Sequence, residues 1–187
     1  MRQTAPYRDI HTNLVSACRK GSRKAQYELY GIYYKAMYNT ALRITGDSSD
    51  AEDVMQEAFL KAFTRLDTYR GEVSFGAWLK KIVINKALDA VKLKKAVISL
   101  EDAGKKIDLT DDSSDEALPE LSPEQVRSAI LALPEGYRIV LSLYLLEGYD
   151  HEEISEILGI SGTTSRTQYH RARKKLAAKL NELKAVS

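Results

Sequence analysis

The sequence predicts an all-α protein of two small helical domains joined by a flexible acidic linker, the C-terminal domain carrying a helix-turn-helix. Three observations carry this. Strand signals are nearly absent, and apolar residues recur in helical period along almost the whole chain. The period lapses over residues 96–121, where Asp, Glu, Ser and Gly mix with scattered apolar residues. Charge divides at the same places: Lys+Arg against Asp+Glu is 17 to 10 over residues 1–95, 2 to 9 over 96–124 and 9 to 7 over 125–187, beneath a net charge of only +2. At 187 residues the chain is long enough for two cores, with domains expected over 1–95 and 122–187 and the linker over 96–121.

In the first domain a helix is expected over 14–19 and a second over 22–45, with Leu29, Ile32, Tyr33, Ala36, Met37 and Leu42 on its buried side. Gly46, Asp47, Ser48 and Ser49 are turn chemistry, and Ser49 with Glu52 has the spacing of a capping box for a third helix over 50–66. Val54, Ala58, Phe59, Ala62, Phe63 and Leu66 form the apolar line of that helix. A loop over 67–74 leads to a fourth helix over 75–95 that is both apolar and basic. Trp78, Leu79, Ile82, Val83 and Leu88 are available to the core, while Lys80, Lys81, Lys86, Lys92, Lys94 and Lys95 lie elsewhere on its circumference.

Ser122, Pro123 and Gln125 open the second domain as N-cap, first helical residue and capping-box partner. Helices are expected over 123–132, 135–147, 150–158 and 162–183. The last two read as a helix-turn-helix. Ile154, Ile157 and Leu158 give the shorter one a buried stripe, Gly159 permits the left-handed backbone of a tight turn, and Ser161 can cap the next helix. In that helix Ser165, Tyr169, Ala172 and Leu176 fall four, three and four apart and face inward, which leaves Arg166, Thr167, His170, Arg171 and Arg173 outside. From 166 to 184, seven basic residues stand against Glu182 alone. That surplus suits DNA, because each phosphate neutralised releases a condensed counterion. Guanidinium and hydroxyl groups can also reach base edges in a major groove about one helix wide.

Other chemistries lack their residues. His151, Glu152, Glu153, Ile154 and Ser155 begin like a zinc-protease motif, but no second histidine follows four residues after the first, so one helical face cannot supply two metal ligands. With three histidines, no glycine-rich phosphate loop and the single Cys18 in an amphipathic segment, neither catalysis nor a metal or other cofactor is expected. Apolar runs such as Ile82, Val83 and Ile84 fall far short of the roughly 20 residues of a membrane span, and no signal peptide is visible. A cytoplasmic location without membrane insertion is expected.

Three motifs in order carry a family resemblance: Asp50-Ala-Glu-Asp-Val-Met-Gln-Glu-Ala-Phe59; then Tyr69, Arg70, Gly71 and Glu72 with Phe75, Trp78, Leu79 and Asn85; then Leu133, Pro134 and Glu135 ahead of a helix-turn-helix ending in Arg171, Ala172 and Arg173. Together, and separated by an acidic linker, they resemble the two-domain, extracytoplasmic-function (ECF) type of sigma-70 family RNA polymerase sigma factors, over about residues 10–184. The resemblance implies a bacterial protein without catalytic activity that binds core RNA polymerase, directs it to specific promoters and helps open the duplex.

By that resemblance Asp50, Asp53, Gln56, Glu57 and Phe59 dock on the clamp helices of the polymerase β′ subunit. The acidic and amide row offers charge-assisted hydrogen bonds, and the aromatic an apolar anchor. The loop at Tyr69, Arg70 and Gly71 receives a base flipped from the non-template strand of the −10 element. Tyr69 supplies the stacking face, Gly71 lets backbone approach, Asn85 meets the base edge, and Lys80, Lys81 and Lys86 hold the strand backbone. Phe75 and Trp78 can be read either as core or as nucleic-acid platforms; aromatics at helical spacing are more often core, and Trp78 is expected there. The connector, with Glu101, Asp102 and the acidic run 108–116, is implied to thread near the active-site and RNA-exit channels; a soluble tether accounts for its composition equally well.

In the second domain the family pattern carries the −35 contact to Arg166, Thr167, His170, Arg171 and Arg173, with His151 and Glu152 where the first helix of the motif crosses the DNA backbone. Two positions depart from the pattern. Ser165 stands where Val is usual on the inner face of the recognition helix, which puts the tightness of that packing in question. Gln168 stands where Arg is frequent, which bears on base preference. The polymerase β subunit is a further implied contact, and many relatives are held inactive by an anti-sigma factor. The alternative reading is a stand-alone helix-turn-helix regulator whose first domain senses a ligand or dimerises. An acidic helix, an aromatic loop and a basic helix suit polymerase and melted DNA better than a sensing pocket.

Overall fold

The computed structural model describes residues 10–98 and 122–185. Most of the expected linker, including Glu101, Asp102 and the acidic run 108–116, lies outside the described residues. Among the described residues there is no strand, and they form two compact units, one within Met1–Glu101 and one within Asp102–Ser187.

Short polar side chains placed ahead of apolar runs set the helix starts. After α1 (Thr12–Arg19), Ser22 Oγ accepts from the Ala25 N–H at 3.3 Å to open α2 (Arg23–Thr45), which closes on Gly46 at φ 78°. Asp47 rather than Ser49 caps α3 (Ser48–Thr64): its Oδ1 accepts from the N–H groups of Ser49 and Asp50 at 2.9 and 3.0 Å. The expected Ser49–Glu52 box gives way because a carboxylate on extended backbone stands two residues earlier and already takes the Ser49 N–H, one of that box's two donors. A 3₁₀ turn (Leu66–Thr68) and a loop lead to α4 (Phe75–Ile98), where Ser74 Oγ accepts from the Ala77 N–H at 3.1 Å.

Helices α2, α3 and α4 pack on one another, and α1 lies against α2. Leu29, Met37, Ile44, Met55, Phe75, Leu79, Val83 and Ile84 are all fully buried, and Ala51, Ala58 and Ala62 let the helix backbones approach. The buried arc of α2 runs through Leu29, Met37, Thr40, Ala41 and Ile44. Ile32 and Ala36, expected inside, fall beyond its edge and are exposed. Contact between α2 and α4 is close enough that a Cβ on Gly76 would stand 2.6 Å from Cε1 of Tyr33.

The second unit comprises α5 (Pro123–Leu131), α6 (Glu135–Leu141), α7 (His151–Leu158) and α8 (Gly162–Ala185). The Ser122–Gln125 capping box with Pro123 in the first turn forms as the spacing predicts. The helix expected over 135–147 changes hydrogen-bond register partway, α6 passing into one π turn (Ser142–Leu146). Helix α8 is the spine, packing on α5, α6 and α7. Ile130, Leu133, Leu141 and Ala172 form a core cluster, with Val126, Tyr137 and Leu176 against it. Arg138 is buried beside them, where Nη1 donates to the Leu133 carbonyl at 3.2 Å. Burial lowers its pKa from the ordinary arginine value, and the Glu135 carboxylate opposes the shift.

Candidate nucleic-acid interface

The helix-turn-helix is built on caps. Asp150 Oδ1 accepts from the Glu152 and Glu153 N–H groups at 2.9 and 2.8 Å, and Glu153 Oε2 accepts from the Asp150 N–H at 2.9 Å, a complete capping box for α7. Gly159 takes the left-handed turn at φ 66°. Ser161 Oγ accepts from the Thr164 N–H at 3.0 Å and starts α8.

Ala172 of α8 is completely buried in the core cluster with Ile130, Leu133 and Leu141, and Ile154 of α7 and Ser165 of α8 are completely buried as well. His151 packs beside Ser165. Its ring lies parallel to Tyr144 at 4.4 Å and meets Tyr169 at 5.6 Å, and its Nδ1 is 2.9 Å from Ser165 Oγ. One expectation is corrected here. His151, half-buried, makes its contacts within the helix–helix packing, against two tyrosine rings and a hydroxyl. Ser165 does not loosen the packing, because its hydroxyl has a partner there. Tyr144 lies inside what the sequence presents as one uniform helix, so nothing in the pattern marks it as this partner.

Arg166, Thr167, His170, Arg171 and Arg173 are all exposed along the outer face of α8. Two of them are already engaged within the unit. Arg166 Nη2 donates to Glu152 Oε1 at 2.8 Å, and Thr167 Oγ1 donates to the Thr163 carbonyl at 2.9 Å. The Glu152 carboxylate also lies over the first turn of α8, 3.0 Å from where a Cβ on Gly162 would stand. Arg173 sits 6.0 Å over the Tyr169 ring. Gln168 is half-buried, with its Oε1 beside Gly136 of α6, so it is turned away from the outer row.

In the first unit Trp78, Lys81 and Asn85 fall at i, i+3 and i+7 of α4 and share one face; Lys81 and Asn85 are exposed and Trp78 is half-buried. Lys80, two residues from Trp78 and half-buried, points to the other side of the helix, and Lys86 is also half-buried off that face. Arg70 is exposed, and Gly71 takes φ 76° in the loop ahead of the helix. Tyr69 is not a free stacking face. It is only 6% exposed, its hydroxyl donates to the Val73 carbonyl at 2.8 Å, and its ring packs on Phe75 and Trp78 at 5.7 and 5.3 Å. An aromatic so close to two others gains more from burial than from solvent. Arg19 of α1 donates to the carbonyls of Leu66 and Tyr69 behind this loop.

On α3, Asp53, Gln56 and Glu57 are exposed and Asp50 half-buried. Asp50, Asp53 and Glu57 line an open cleft with Lys86, Asp89 and Leu93 of α4, and Lys86 Nζ donates to Glu57 Oε2 at 2.6 Å across it. Phe59, expected as an exposed anchor, is 3% exposed and packs on Tyr30 and Phe63 at 4.8 and 6.0 Å. The exposed apolar side chain is its neighbour Leu60, at 67%. The apolar line Val54, Ala58, Ala62 already places residue 59 inside and residue 60 outside, so the signal was present in the spacing.

Among the described residues no cluster of His, Cys, Asp and Glu is arranged to hold a metal ion, and no helix is long and apolar enough to cross a membrane.

With this geometry in place, comparison with known proteins is specific. The family described as Sigma-70 region 2 matches residues 29–96, and that described as Sigma-70, region 4 matches residues 123–176. The chain is 33% identical over 180 residues to the ECF RNA polymerase sigma factor SigW of Bacillus subtilis (strain 168), covering 90% of this chain and 96% of that protein. It is 31% identical over 183 residues to the ECF RNA polymerase sigma-E factor of Escherichia coli (strain K12), covering 91% and 94%. Two solved structures share the fold. The sigma factor RpoE in complex with the anti-sigma factor NepR from Bartonella quintana has a TM-score of 0.55 at 19% identity, covering 83% of this chain and 96% of that one. CnrH in complex with the cytosolic domain of CnrY has a TM-score of 0.50 at 24% identity, covering 91% and 96%. The chain therefore belongs to the ECF sigma factors of the sigma-70 family of RNA polymerase sigma factors.

Proposed function

We propose that this sigma factor, which binds core RNA polymerase and directs it to promoters without chemistry of its own, divides the task among three faces. Arg166, Thr167, His170, Arg171 and Arg173 on α8 meet the −35 duplex, the guanidiniums reading guanine edges or clamping phosphates. Arg70, Gly71, Lys81 and Asn85, with the open edge of Trp78 in place of Tyr69, take the unpaired −10 strand, while Lys80 and Lys86 add charge nearby. Asp50, Asp53, Gln56 and Glu57, with Leu60 in place of Phe59, form the polymerase face. The observation that carries the reading is the outer row of α8, a run of cationic and polar side chains on a capped helix-turn-helix whose inner face buries Ser165 and Ala172 completely.

The relatives support an anti-sigma partner, since the RpoE of Bartonella quintana was solved with one. A polymerase partner puts the protein in the cytoplasm. The test is run-off transcription by purified core polymerase with and without this chain, on DNA from upstream of its own gene. Initiation from a defined start that depends on the chain is expected; failure to co-elute with core polymerase would overturn the reading.

A further inference from the structure

We infer that Arg19, the last residue of α1, is a positioning residue for promoter opening: it fixes the backbone of the loop that presents Arg70 and Gly71 to the unpaired −10 strand. The inference rests on the −10 reading above. The Sigma-70 region 2 match begins at residue 29, so Arg19 falls outside it.

The guanidinium makes two hydrogen bonds to one short stretch of main chain. Nε donates to the Leu66 carbonyl at 3.3 Å, and Nη2 donates to the Tyr69 carbonyl. It also lies 5.9 Å over the Tyr69 ring. Leu66 opens the 3₁₀ turn, where its carbonyl also accepts from the Tyr69 N–H at 3.3 Å, and Tyr69 follows the turn, where the backbone carbonyls have left the helical ladder. A planar fork can satisfy both at a fixed separation, which a single ammonium cannot. The helix that carries it is itself anchored, because Val15 and Cys18 of α1 are buried.

The Tyr69 carbonyl belongs to the peptide unit that carries the Arg70 N–H. Holding that carbonyl fixes the orientation of the chain entering Arg70 and Gly71. Four residues on, the Tyr69 hydroxyl donates to the Val73 carbonyl and fixes the exit. The residues between are therefore held at both ends, and the fork of Arg19 is the tie at the entrance. Arg19 itself is exposed, so these bonds add little to the core, and their main effect is to reduce the ordering cost when a strand binds.

The test uses polymerase holoenzyme carrying the wild-type chain, Arg19→Ala, Arg19→Lys or Lys81→Ala/Asn85→Ala. Affinity is measured for a single-stranded oligonucleotide with the non-template −10 sequence of a promoter established by run-off transcription, alongside affinity of the free chain for core polymerase. Arg19→Ala should weaken oligonucleotide binding about tenfold and slow opening, with polymerase affinity unchanged. Arg19→Lys should recover only part of the loss. If Arg19→Ala binds the oligonucleotide as wild type does, or loses polymerase binding in parallel, the inference is overturned; the parallel loss would mean a general weakening of the unit. If Lys81→Ala/Asn85→Ala also binds like wild type, the −10 reading itself fails, whereas a defect confined to that variant sinks only the role of Arg19.

Discussion

The Nδ1 of His151 lies 2.9 Å from the hydroxyl of Ser165, joining the two helices of the helix-turn-helix inside a contact that also holds Tyr144 and Tyr169. Ser165 is completely buried, so the bond cannot be exchanged for water without moving α8. Ser165→Val should leave a polar imidazole nitrogen against a methyl group and destabilise the second unit by about 1–3 kcal/mol. His151→Phe/Ser165→Val keeps a ring on Tyr144 and removes the stranded nitrogen, so it should recover about 1 kcal/mol of that loss. Urea unfolding of the full chain followed by circular dichroism reads both variants. A Ser165→Val variant as stable as wild type would show that the bond contributes nothing.

Tyr69 should behave as a structural residue. Removing its hydroxyl in Tyr69→Phe breaks the bond to the Val73 carbonyl and should cost about 1 kcal/mol. Tyr69→Ala should cost about 3–5 kcal/mol, since it empties the space between Phe75, Trp78 and the Arg19 guanidinium. A surface platform would instead tolerate alanine to within about 0.5 kcal/mol. Thermal unfolding separates the two cases, and a Tyr69→Ala variant melting with wild type would restore the residue to the list of free stacking faces.

What the sequence disclosed follows from which signals are local. Caps and helical period are short-range, so Ser22, Ser122, Asp150, Gly159 and Ser161 mark real boundaries. The outward row of α8 was legible for the same reason: inner positions 165, 169, 172 and 176 fix the outer ones by geometry. Misplaced residues are those whose fate depends on another element. Tyr69 reads as a loop aromatic until Phe75 and Trp78 close on it, and His151 reads as a polar helix start until Tyr144 arrives from the π turn. Phe59 is different, because the period already placed it inside; its family role drew it outward. The tie from Arg19 to residues 66 and 69 spans about fifty positions, and nothing in a single sequence encodes it.

The pair between Arg166 and Glu152 predicts a gain of function. Both side chains are more than half exposed, at 56% and 70%, so the bond contributes no more than about 1 kcal/mol to stability. Its larger effect is to place a carboxylate beside a cation that we propose meets DNA. Glu152→Gln should leave unfolding unchanged, raise affinity for non-specific duplex at low salt, and steepen the dependence of log K on log salt by up to about one unit. Fluorescence anisotropy across a salt series measures this. Arg166→Ala is the control and should shift the slope the other way; an unchanged slope for Glu152→Gln would show that its carboxylate does not screen the DNA face.

Two helical glycines should respond to alanine with opposite signs. Gly31 on α2 has open space around it, so Gly31→Ala should stabilise the first unit by about 0.5–1 kcal/mol through backbone entropy alone. Gly76 on α4 faces the Tyr33 ring, and that ring is held against Phe75 and His11 at 5.5 and 5.6 Å. Gly76→Ala gains the same entropy but must displace the ring, so it should destabilise by about 1–3 kcal/mol. Melting temperatures of the two variants, compared with wild type, decide the point. Equal shifts would mean that the ring moves aside freely and that the close approach of α2 and α4 is not a constraint.

Cys18 completes the packing of α1, and burial raises its thiol above the ordinary cysteine value. For an acid whose folded pKa is raised, the stabilising contribution is complete below the unfolded pKa and is lost as pH climbs through the folded one. Stability of the first unit should therefore be flat with respect to this group through neutral pH and fall only in alkali, where the thiolate forms and must reach solvent. The same burial keeps the neutral thiol from the nucleophilic form at pH 8, so reaction with a disulfide reagent should be slow in the native chain and fast in denaturant. Stopped-flow absorbance at pH 8 gives both rates. Native reaction as fast as the denatured one would place Cys18 in solvent and remove α1 from the packed unit, along with the anchor for Arg19.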